Sequence, residues 1–320
     1  MRISADAQQR VLQAARELNY RPNLLARSLR TNMSQTLGLI SDVIASEPFA
    51  GDEVRGCLAT ALQHQHLLFV GETEGDPELE KQLIQDMLDR GVSGFVYGSM
   101  YTRRTSVPRA LRDQPLVMMN CLPRGRTPTL AVIPDERAAG RTAAQALLEA
   151  GHTDGIYLVG ETPAGVIAGV ERRAGINVAL AARGLVLAGW VSCLWWPGPA
   201  EEAVTGLLDS GAQPTALICL NDRVAMGAYH ALRKARMAIP HDVSVISFDD
   251  SDLASWLDPG LTSIALPHFE LGRQAVELLM NREARGVHRI PMELRSRGSI
   301  GPPRRRRPRP NRLIRPRVSW

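Results

Sequence analysis

The feature that most constrains the fold of this chain is a regular alternation of short apolar runs with amphipathic segments, from Thr36 to about residue 250. The apolar runs, such as TLGLISDV, HLLFVGE and TALICLND, are typical of buried strands. The segments between them, such as DPELEKQLIQDMLDRG, have the apolar spacing of helices. Strands alternating with helices of roughly ten to fifteen residues form βαβ units and parallel sheets. The sequence therefore predicts an α/β protein.

The alternation occurs twice, and the two series divide near residues 131–134. A chain of 320 residues is also longer than one hydrophobic core usually serves. The later segments LTSIALPH, FELGRQAVELLMN and HRIPMELRSRGSI follow both series and must pack back onto them. We therefore expect two doubly wound lobes, with the chain passing between them more than once.

Positive charge is concentrated at the two ends of the chain. Residues 1–31 carry a net charge of +4 and residues 301–320 carry +8, so the stretch between them sums to −7. Basic ends on an acidic body favour a polyanionic partner at the ends, although a solubilising tail explains the C-terminal charge equally well. The segment GPPRRRRPRPNRLIRPRVSW contains too little apolar surface to fold, which predicts a disordered tail over 301–320.

Several classes of protein find no support in the sequence. There is no leader pattern and no apolar run of membrane-spanning length, and the four cysteines are scattered in a way that favours buried thiols, which together predict a cytoplasmic protein. No nucleophile elbow, phosphate-binding loop or zinc-protease motif occurs. His64 and His66 have no acidic or cysteine companion nearby, so solvated histidines are favoured over a metal site. We expect binding without catalysis, with no cofactor and no metal.

Polar residues recur where the predicted strands end. In doubly wound sheets, ligands bind outside the carboxyl ends of the strands. Two lobes that present such ends to a shared cleft would form a polar pocket, although Asp42 and Asp222 are equally suited to cap helices. The strand-end residues are Asp42, Glu72, Ser99, Asn120, Glu161, Asn221, Asp222, Asp249 and Asp250.

The first thirty residues predict two small helices. SADAQQRVLQAARELNY places Val11, Leu12, Ala15 and Leu18 on one helical face, with Ser4 available as N-cap. The sequence RPN interrupts this helix, and residues 24–30 are typical of a second, short helix. Neither segment is long enough to form a core of its own.

These segments carry a family resemblance. RVLQAARELNYRPNLLARSLRT, TLGLISDVIASEPFAGDEVRG, GHTDGIYLVGE, ERRAGINVAL, PTALICLNDRVAMGA and DVSVISFDDSDLASWLDPGLTSI resemble the lactose/galactose repressor family of bacterial transcription regulators, over residues 3 to about 300. The resemblance implies a two-lobed periplasmic-binding-protein-like core of two doubly wound parallel sheets, preceded by a helical headpiece remnant and a hinge helix. It also implies a homodimer that binds operator DNA, with an affinity controlled by a small-molecule effector such as a sugar.

The resemblance divides the chain into four parts. The expected boundaries are a helix-turn-helix headpiece remnant at 1–22, a hinge helix and linker at 23–35, an effector-binding core at 36–300 and the tail at 301–320. Within the core, the first lobe is expected at 36–133 and 267–290, and the second at 134–266 and 291–300.

The resemblance also assigns residues to the effector site. It implies polar contacts and two aromatic contacts, from Asn120, Arg172, Asn221, Asp249, Trp195 and Phe269. Carboxylate, amide and guanidinium groups suit vicinal hydroxyls, and a flat ring suits a sugar face. Arg173 is an alternative to Arg172, and Trp195 with Trp196 is alternatively a packed aromatic corner. Asn120 stands where many relatives have an acid.

In the hinge, the resemblance implies that Leu29 inserts into the minor groove while Ala26 packs against the partner helix, and Arg27 and Arg30 suit phosphate contacts. Relatives carry some thirty further residues before RISADAQQRV, which hold the helix that reads the major groove. We therefore expect a truncated headpiece and weak, salt-sensitive, sequence-indifferent DNA binding by this chain. A solute-binding receptor without DNA-binding activity is the alternative; the hinge segment and the absence of a leader argue against it.

Overall fold

The computed structural model describes residues 4–18, 34–46, 50–125, 129–162, 165–281 and 283–304. In these ranges the chain forms two lobes, each built on a six-stranded sheet with helices packed against it. The predicted α/β fold with two doubly wound, largely parallel sheets is confirmed. Residues 19–22 of the predicted headpiece remnant, residues 23–33 of the predicted hinge and linker, and residues 305–320 of the predicted tail lie outside the described residues.

The elements follow the predicted alternation. The helix at the N-terminal end is α1 (Ala5–Glu17). The first series contains β1 (Thr36–Ser41), α2 (Gly51–Gln63), β2 (Leu67–Glu72), α3 (Pro77–Asp89), β3 (Phe95–Thr105), β4 (Leu116–Pro123) and β5 (Leu130–Pro134). The second series contains α4 (Glu136–Glu149), β6 (Ile156–Val159), α5 (Ile167–Ala181), β7 (Gly189–Val191), α6 (Pro197–Asp209), β8 (Ala216–Cys219), α7 (Asp222–Lys234), β9 (Ser244–Asp249), α8 (Asp252–Trp256) and β10 (Thr262–Ala265). The last elements are α9 (His268–Met280), β11 (Val287–Ile290) and β12 (Glu293–Arg295).

The chain passes between the two lobes three times, after β5, after β10 and after β11. The first sheet has the order β11-β5-β4-β3-β1-β2 and is parallel throughout. The second has the order β12-β10-β9-β8-β6-β7, and only β12 is antiparallel to its neighbour. Both sheets therefore direct the carboxyl ends of their central strands toward the space between the lobes.

Two strands differ in length from the prediction. The expected strand 92–99 continues as β3 to Thr105, because its second half pairs with residues 121–123 of β4 after a register shift between Gly98 and Arg103. The expected strand 189–196 ends at Val191, and the chain then turns into α6, which has Pro197 in its first turn. The extension of β3 brings residues 101–103 to the second lobe.

One pair of helices in each lobe crosses at glycines. In the first lobe α2 and α9 approach so closely that a Cβ on Gly56 would lie 2.1 Å from the Phe269 carbonyl oxygen, and one on Gly272 would lie 2.0 Å from that of Glu53. In the second lobe α4 and α5 cross in the same way. There a Cβ on Gly140 or Gly175 would lie 2.0 Å from a carbonyl oxygen of the facing helix. Only glycine permits backbones this close.

Helix α1 has the predicted N-cap, since the Ala7 amide donates to Ser4 Oγ over 3.3 Å. Two residues of its predicted apolar face, Val11 and Leu18, are 67% and 78% exposed. None of the helices within the described ranges is long and apolar enough to cross a membrane.

Candidate functional site

A polar cavity lies between the lobes. It has an empty volume of about 590 Å³, including the part open to solvent. Five of the six residues assigned to the effector site line it, namely Asn120, Arg172, Trp195, Asn221 and Asp249.

Phe269 does not line this cavity. Its side chain is 43% exposed and borders a neighbouring groove with Asp52, Arg55 and Arg295. The preceding residue, His268, faces the cavity instead. Successive side chains on a helix point about 100° apart; His268 lines both the cavity and this groove, whereas Phe269 lines only the groove.

Arg172 is held by an internal ion pair at the back of the cavity. Its Nε donates to Glu136 Oε2 over 2.6 Å and its Nη2 donates to Glu136 Oε1 over 3.2 Å. Nη1 donates to the Leu220 carbonyl oxygen over 2.5 Å. The two side chains are only 2% and 3% exposed. A bidentate, buried arginine–carboxylate pair is among the strongest polar contacts in proteins, so Arg172 is fixed in place.

The glycine crossing explains why these two groups meet. Glu136 begins α4 and Arg172 lies in α5, and Gly140 and Gly175 let the start of α4 and the middle of α5 pass in contact. Aromatic rings then enclose the guanidinium, whose Cζ lies 4.6 Å from the Phe248 ring centroid and 5.7 Å from that of Trp195. The packing of α4 against α5 thus stabilises the second lobe and also brings Glu136 and Arg172 together in the site.

Asn120 connects the two lobes through Thr102. Its backbone has a φ of +54°, a left-handed conformation that asparagine tolerates better than most residues. Its Oδ1 accepts from Thr102 Oγ1 over 2.6 Å, and its Nδ2 donates to the Met100 carbonyl over 3.1 Å. Thr102 Oγ1 is also 3.2 Å from Glu136 Oε1. The threonine hydroxyl therefore links the first lobe to the ion pair of the second.

Asp249 presents a carboxylate to the cavity. It ends β9 with a φ of +108°, and its Oδ1 is 3.8 Å from Arg172 Nη1. Burial raises the pKa of Asp249 to about 7, although the charge of Arg172 acts in the opposite direction. No hydrogen bond to this carboxylate comes from another residue in the described part of the chain. It is the acceptor best placed to receive donors from a ligand.

Asn221 and Asp222 divide two tasks at the start of α7. Asn221 Oδ1 caps the helix by accepting from the Val224 amide over 2.8 Å. Asp222, one of two residues suited to be a cap by sequence, instead accepts from Ser247, Ser251 and Ser263. Burial is the main effect that raises the pKa of Asp222. Its interactions tie α7 to β9 and β10 within the second lobe.

The other strand-end residues lie outside the cavity lining. Asp42 is likewise not a helix cap. Its carboxylate pairs with Arg103 at 2.9 Å and accepts a hydrogen bond from the Met100 amide, and these two contacts hold the extension of β3 in place. Glu72 accepts from two loop amides. The strand-end pattern therefore locates the correct edge of each sheet but includes residues that only stabilise loops.

The two tryptophans differ in their surroundings. Trp195 Nε1 donates to the Glu161 carbonyl over 2.9 Å, and its ring meets the edge of Tyr101 with centroids 6.1 Å apart. Trp196 is 52% exposed, with the guanidinium of Arg223 4.5 Å from its ring. Trp195 is thus the fixed wall of the cavity. Arg173, the alternative to Arg172, lies over Trp190 at 4.2 Å and does not line the cavity.

Nine residues that line the cavity were not predicted from the sequence: Met100, Tyr101, Thr102, Glu136, Ala168, Arg223, Ser251, Leu266 and His268. Tyr101 and Thr102 lie on the unforeseen extension of β3. Glu136 follows β5 by two residues, so the strand-end rule applied to TLAVIPDE would have found it. The hinge residues assigned to DNA contact, Ala26, Arg27, Leu29 and Arg30, lie outside the described residues.

Comparisons with known proteins agree on the class. Residues 144–300 match the family of periplasmic binding protein-like domains. The chain is 30% identical over 278 residues to the ribose operon repressor of Escherichia coli K12, which covers 84% of this chain and 82% of that protein. It is 31% identical over 286 residues to the HTH-type transcriptional regulator AscG of the same strain, with 87% and 83% covered.

A solved structure extends the likeness to three dimensions. The LacI family transcriptional regulator from Enterococcus faecium with bound ribose superposes with a TM-score of 0.67 at 25% identity, covering 83% of this chain and 99% of that one. Two lobes around a polar cleft define a ligand-binding core of the periplasmic-binding-protein type. The chain belongs to the lactose/galactose repressor family of bacterial transcription regulators.

Proposed function

We propose that the interlobe cavity binds the effector of a transcriptional repressor. Asn120, Arg172, Trp195, Asn221 and Asp249 form the site, and Phe269 borders the groove beside it. The observation that carries this proposal is the Asp249 carboxylate, which faces the cavity between two lobes that a ligand would hold together. The protein binds without catalysis and acts in the cytoplasm.

The effector is a sugar or a closely related polyhydroxy compound. Asp249 offers acceptor oxygens for vicinal hydroxyls, and Trp195 offers a flat apolar wall beside them. Arg172 keeps at most two of its five N–H groups for a ligand. The ribose in the related solved structure and the name of the ribose operon repressor are consistent with this ligand class.

Operator DNA is the second partner, reached through the hinge. In this proposal Leu29 wedges into the minor groove, Ala26 packs against the partner hinge, and Arg27 and Arg30 meet phosphates. A seven-residue helix is marginal alone and forms on DNA. Closure of the lobes on the effector changes the spacing of the paired hinges and hence the operator affinity.

A second copy of the chain covers an exposed apolar face. In the first lobe this face comprises α2 and the edge strand β2, where several large apolar side chains are between 37% and 59% exposed: Leu58, Leu62, Leu67, Phe69 and Val70. In the second lobe Trp256, at 74% exposed, borders a groove on α7. Edge strands with exposed apolar residues are seldom left uncovered. A homodimer burying both patches fits a regulator that places two hinges on one operator.

Calorimetric titration with ribose, glucose and cellobiose tests the effector site. We expect at least one neutral sugar to bind the wild type, and Asp249→Asn to weaken that binding by about tenfold or more, because a charged acceptor is lost. Binding should also weaken as the pH falls below the pKa of Asp249, about 7. Asp209→Asn, on exposed α6, is the matched control. Equal affinity in Asp249→Asn and the wild type would reject the site.

Titration with duplex DNA tests the regulatory part. Binding to this chain should be weak, salt-sensitive and indifferent to sequence, and the sugar that binds should change its affinity. A sugar-binding protein with no measurable affinity for duplex DNA at low salt would instead support the solute-receptor alternative.

A further inference from the structure

The cavity holds an unusual arrangement of charge around Glu136. Its carboxylate is 3% exposed, and it receives two N–H groups from Arg172 while lying 3.2 Å from the Thr102 hydroxyl. A third donor of Arg172 is used by the Leu220 carbonyl. The guanidinium that would otherwise receive an anionic ligand is therefore occupied by a group of the protein itself.

The rest of the lining does not replace the lost positive charge. Three carboxylates line the cavity, Glu136, Asp222 and Asp249, against the guanidiniums of Arg172 and Arg223. The imidazole of His268 adds little, because its Nδ1 lies 2.8 Å from the buried carboxylate of Glu53. A phosphate or carboxylate entering this space would lose its water and find no guanidinium in excess of the carboxylates that line the cavity.

We propose that Glu136 sets the charge selectivity of the cleft: by neutralising Arg172 it restricts the site to uncharged polyhydroxy compounds and excludes their phosphorylated and carboxylated forms. This inference rests on the proposed effector site and deepens it. Glu136 acts through Arg172 and is a positioning residue. Replacing it with glutamine keeps the shape and removes the charge, which releases donors of Arg172 for an anion.

Inorganic phosphate is the probe, because it tests the charge of the cavity whatever the natural effector is. Protein labelled with 5-fluorotryptophan reports the site through the fluorine resonance of Trp195, assigned with Trp195→Phe, since the ring lies 5.7 Å from the Arg172 guanidinium. Titrations at constant ionic strength keep contributions from the arginine-rich tail equal in all variants.

We expect phosphate to leave the Trp195 resonance of the wild type unmoved and to shift it in Glu136→Gln, with an affinity at least about tenfold higher than in the wild type. The double variant Glu136→Gln/Arg172→Gln should lose this response, because the released cation is gone. The double variant Glu136→Gln/Arg223→Met should keep the response to phosphate. That result would show that Arg172, and not Arg223, receives the anion. A folded Glu136→Gln protein that binds phosphate no better than the wild type would overturn the proposal.

The wild type alone decides the case if the variants do not fold. A Trp195 resonance that shifts and saturates below about 10 mM phosphate would show that the cleft accepts anions and would overturn the proposal; an unmoved resonance supports it. Ribose and ribose 5-phosphate then extend the test to ligands. Failure of every neutral sugar to bind would count against the proposed effector site. The phosphate titration would still test whether Glu136 excludes anions from the cavity.

Discussion

Each of the two lobes has a buried glutamate paired with a basic side chain where two helices cross, but the basic side chain differs. In each, two helices cross at glycines and bring a buried glutamate beside a basic side chain: Glu53 with His268 across α2 and α9, and Glu136 with Arg172 across α4 and α5. The glutamates are 0% and 2% exposed as whole residues. The symmetric placement follows from the shared architecture, because each crossing is near the strand ends that face the cleft.

The two pairs differ in how completely they are satisfied. Glu136 accepts from two of the three guanidinium nitrogens of Arg172, and Thr102 lies close to it. Glu53 accepts from His268 through Oε1 only, and its Oε2 has no partner among the described residues. Burial raises the pKa of Glu53, with the hydrogen bond of His268 opposing it. The second lobe therefore gives both carboxylate oxygens of its glutamate a partner, whereas the first leaves one oxygen without a partner among the described residues.

This difference predicts unequal costs when the basic partner is removed. Arg172→Leu should lower the free energy of unfolding by about 3–5 kcal/mol, because it leaves a buried glutamate unpaired. Urea unfolding measures this change. Arg173→Leu is the control, since the neighbouring arginine stacks on half-exposed Trp190 and its loss should cost about 1 kcal/mol or less. Equal losses in the two variants would show that the buried pair contributes no more than a surface contact.

A change at the crossing tests whether the glycines build both pairs. Gly175→Ala places a Cβ 2.0 Å from the Arg137 carbonyl, so the helices must separate, which should cost about 1–3 kcal/mol or more. Gly272→Ala in the first lobe should behave similarly, because its Cβ meets the Glu53 carbonyl at 2.0 Å. Thermal or urea unfolding of both variants gives the comparison.

The matched control is Gly206→Ala in α6, where a Cβ would meet no atom within 4 Å. That substitution should stabilise the protein by up to about 1 kcal/mol, because alanine is the better helix former. If Gly175→Ala were as stable as this control, the close crossing would be absent in solution.

The sequence predicts much of this arrangement but not its central pair. The alternation gives the sheets, and the strand-end rule with the family resemblance leads to Arg172, Asn221 and Asp249 because these positions depend on local pattern. Glu136 lies 36 residues from Arg172, and their contact depends on how closely two helices cross. The extension of β3 depends on pairing with β4 beyond a register shift. Such long-range contacts leave little trace in local composition.

The first-lobe pair makes the last and smallest prediction, a pH-dependent one. Burial alone would lower the pKa of His268. The hydrogen bond and charge of Glu53, together with the charges of Asp249 and Asp52, outweigh burial and raise the pKa of His268 above 6.5. A histidine whose pKa is higher in the folded state contributes stability that is complete below its unfolded pKa. That contribution is lost as the pH rises through the folded value. His268→Gln should therefore cost about 1–2 kcal/mol at pH 6, and less as the pH rises toward 9.

Urea unfolding of wild type and His268→Gln across this pH range measures the difference. His230→Gln is the control, because His230 of α7 also lies near a glutamate, 3.4 Å from Glu201, but its side chain is more exposed, at 31% against 13% for His268. The cost of Arg172→Leu should instead rise with pH over the same range, because loss of the guanidinium raises the pKa of Asp249, which is about 7 beside it. A His268→Gln cost that does not fall as the pH rises would mean that the first-lobe pair does not titrate in this range.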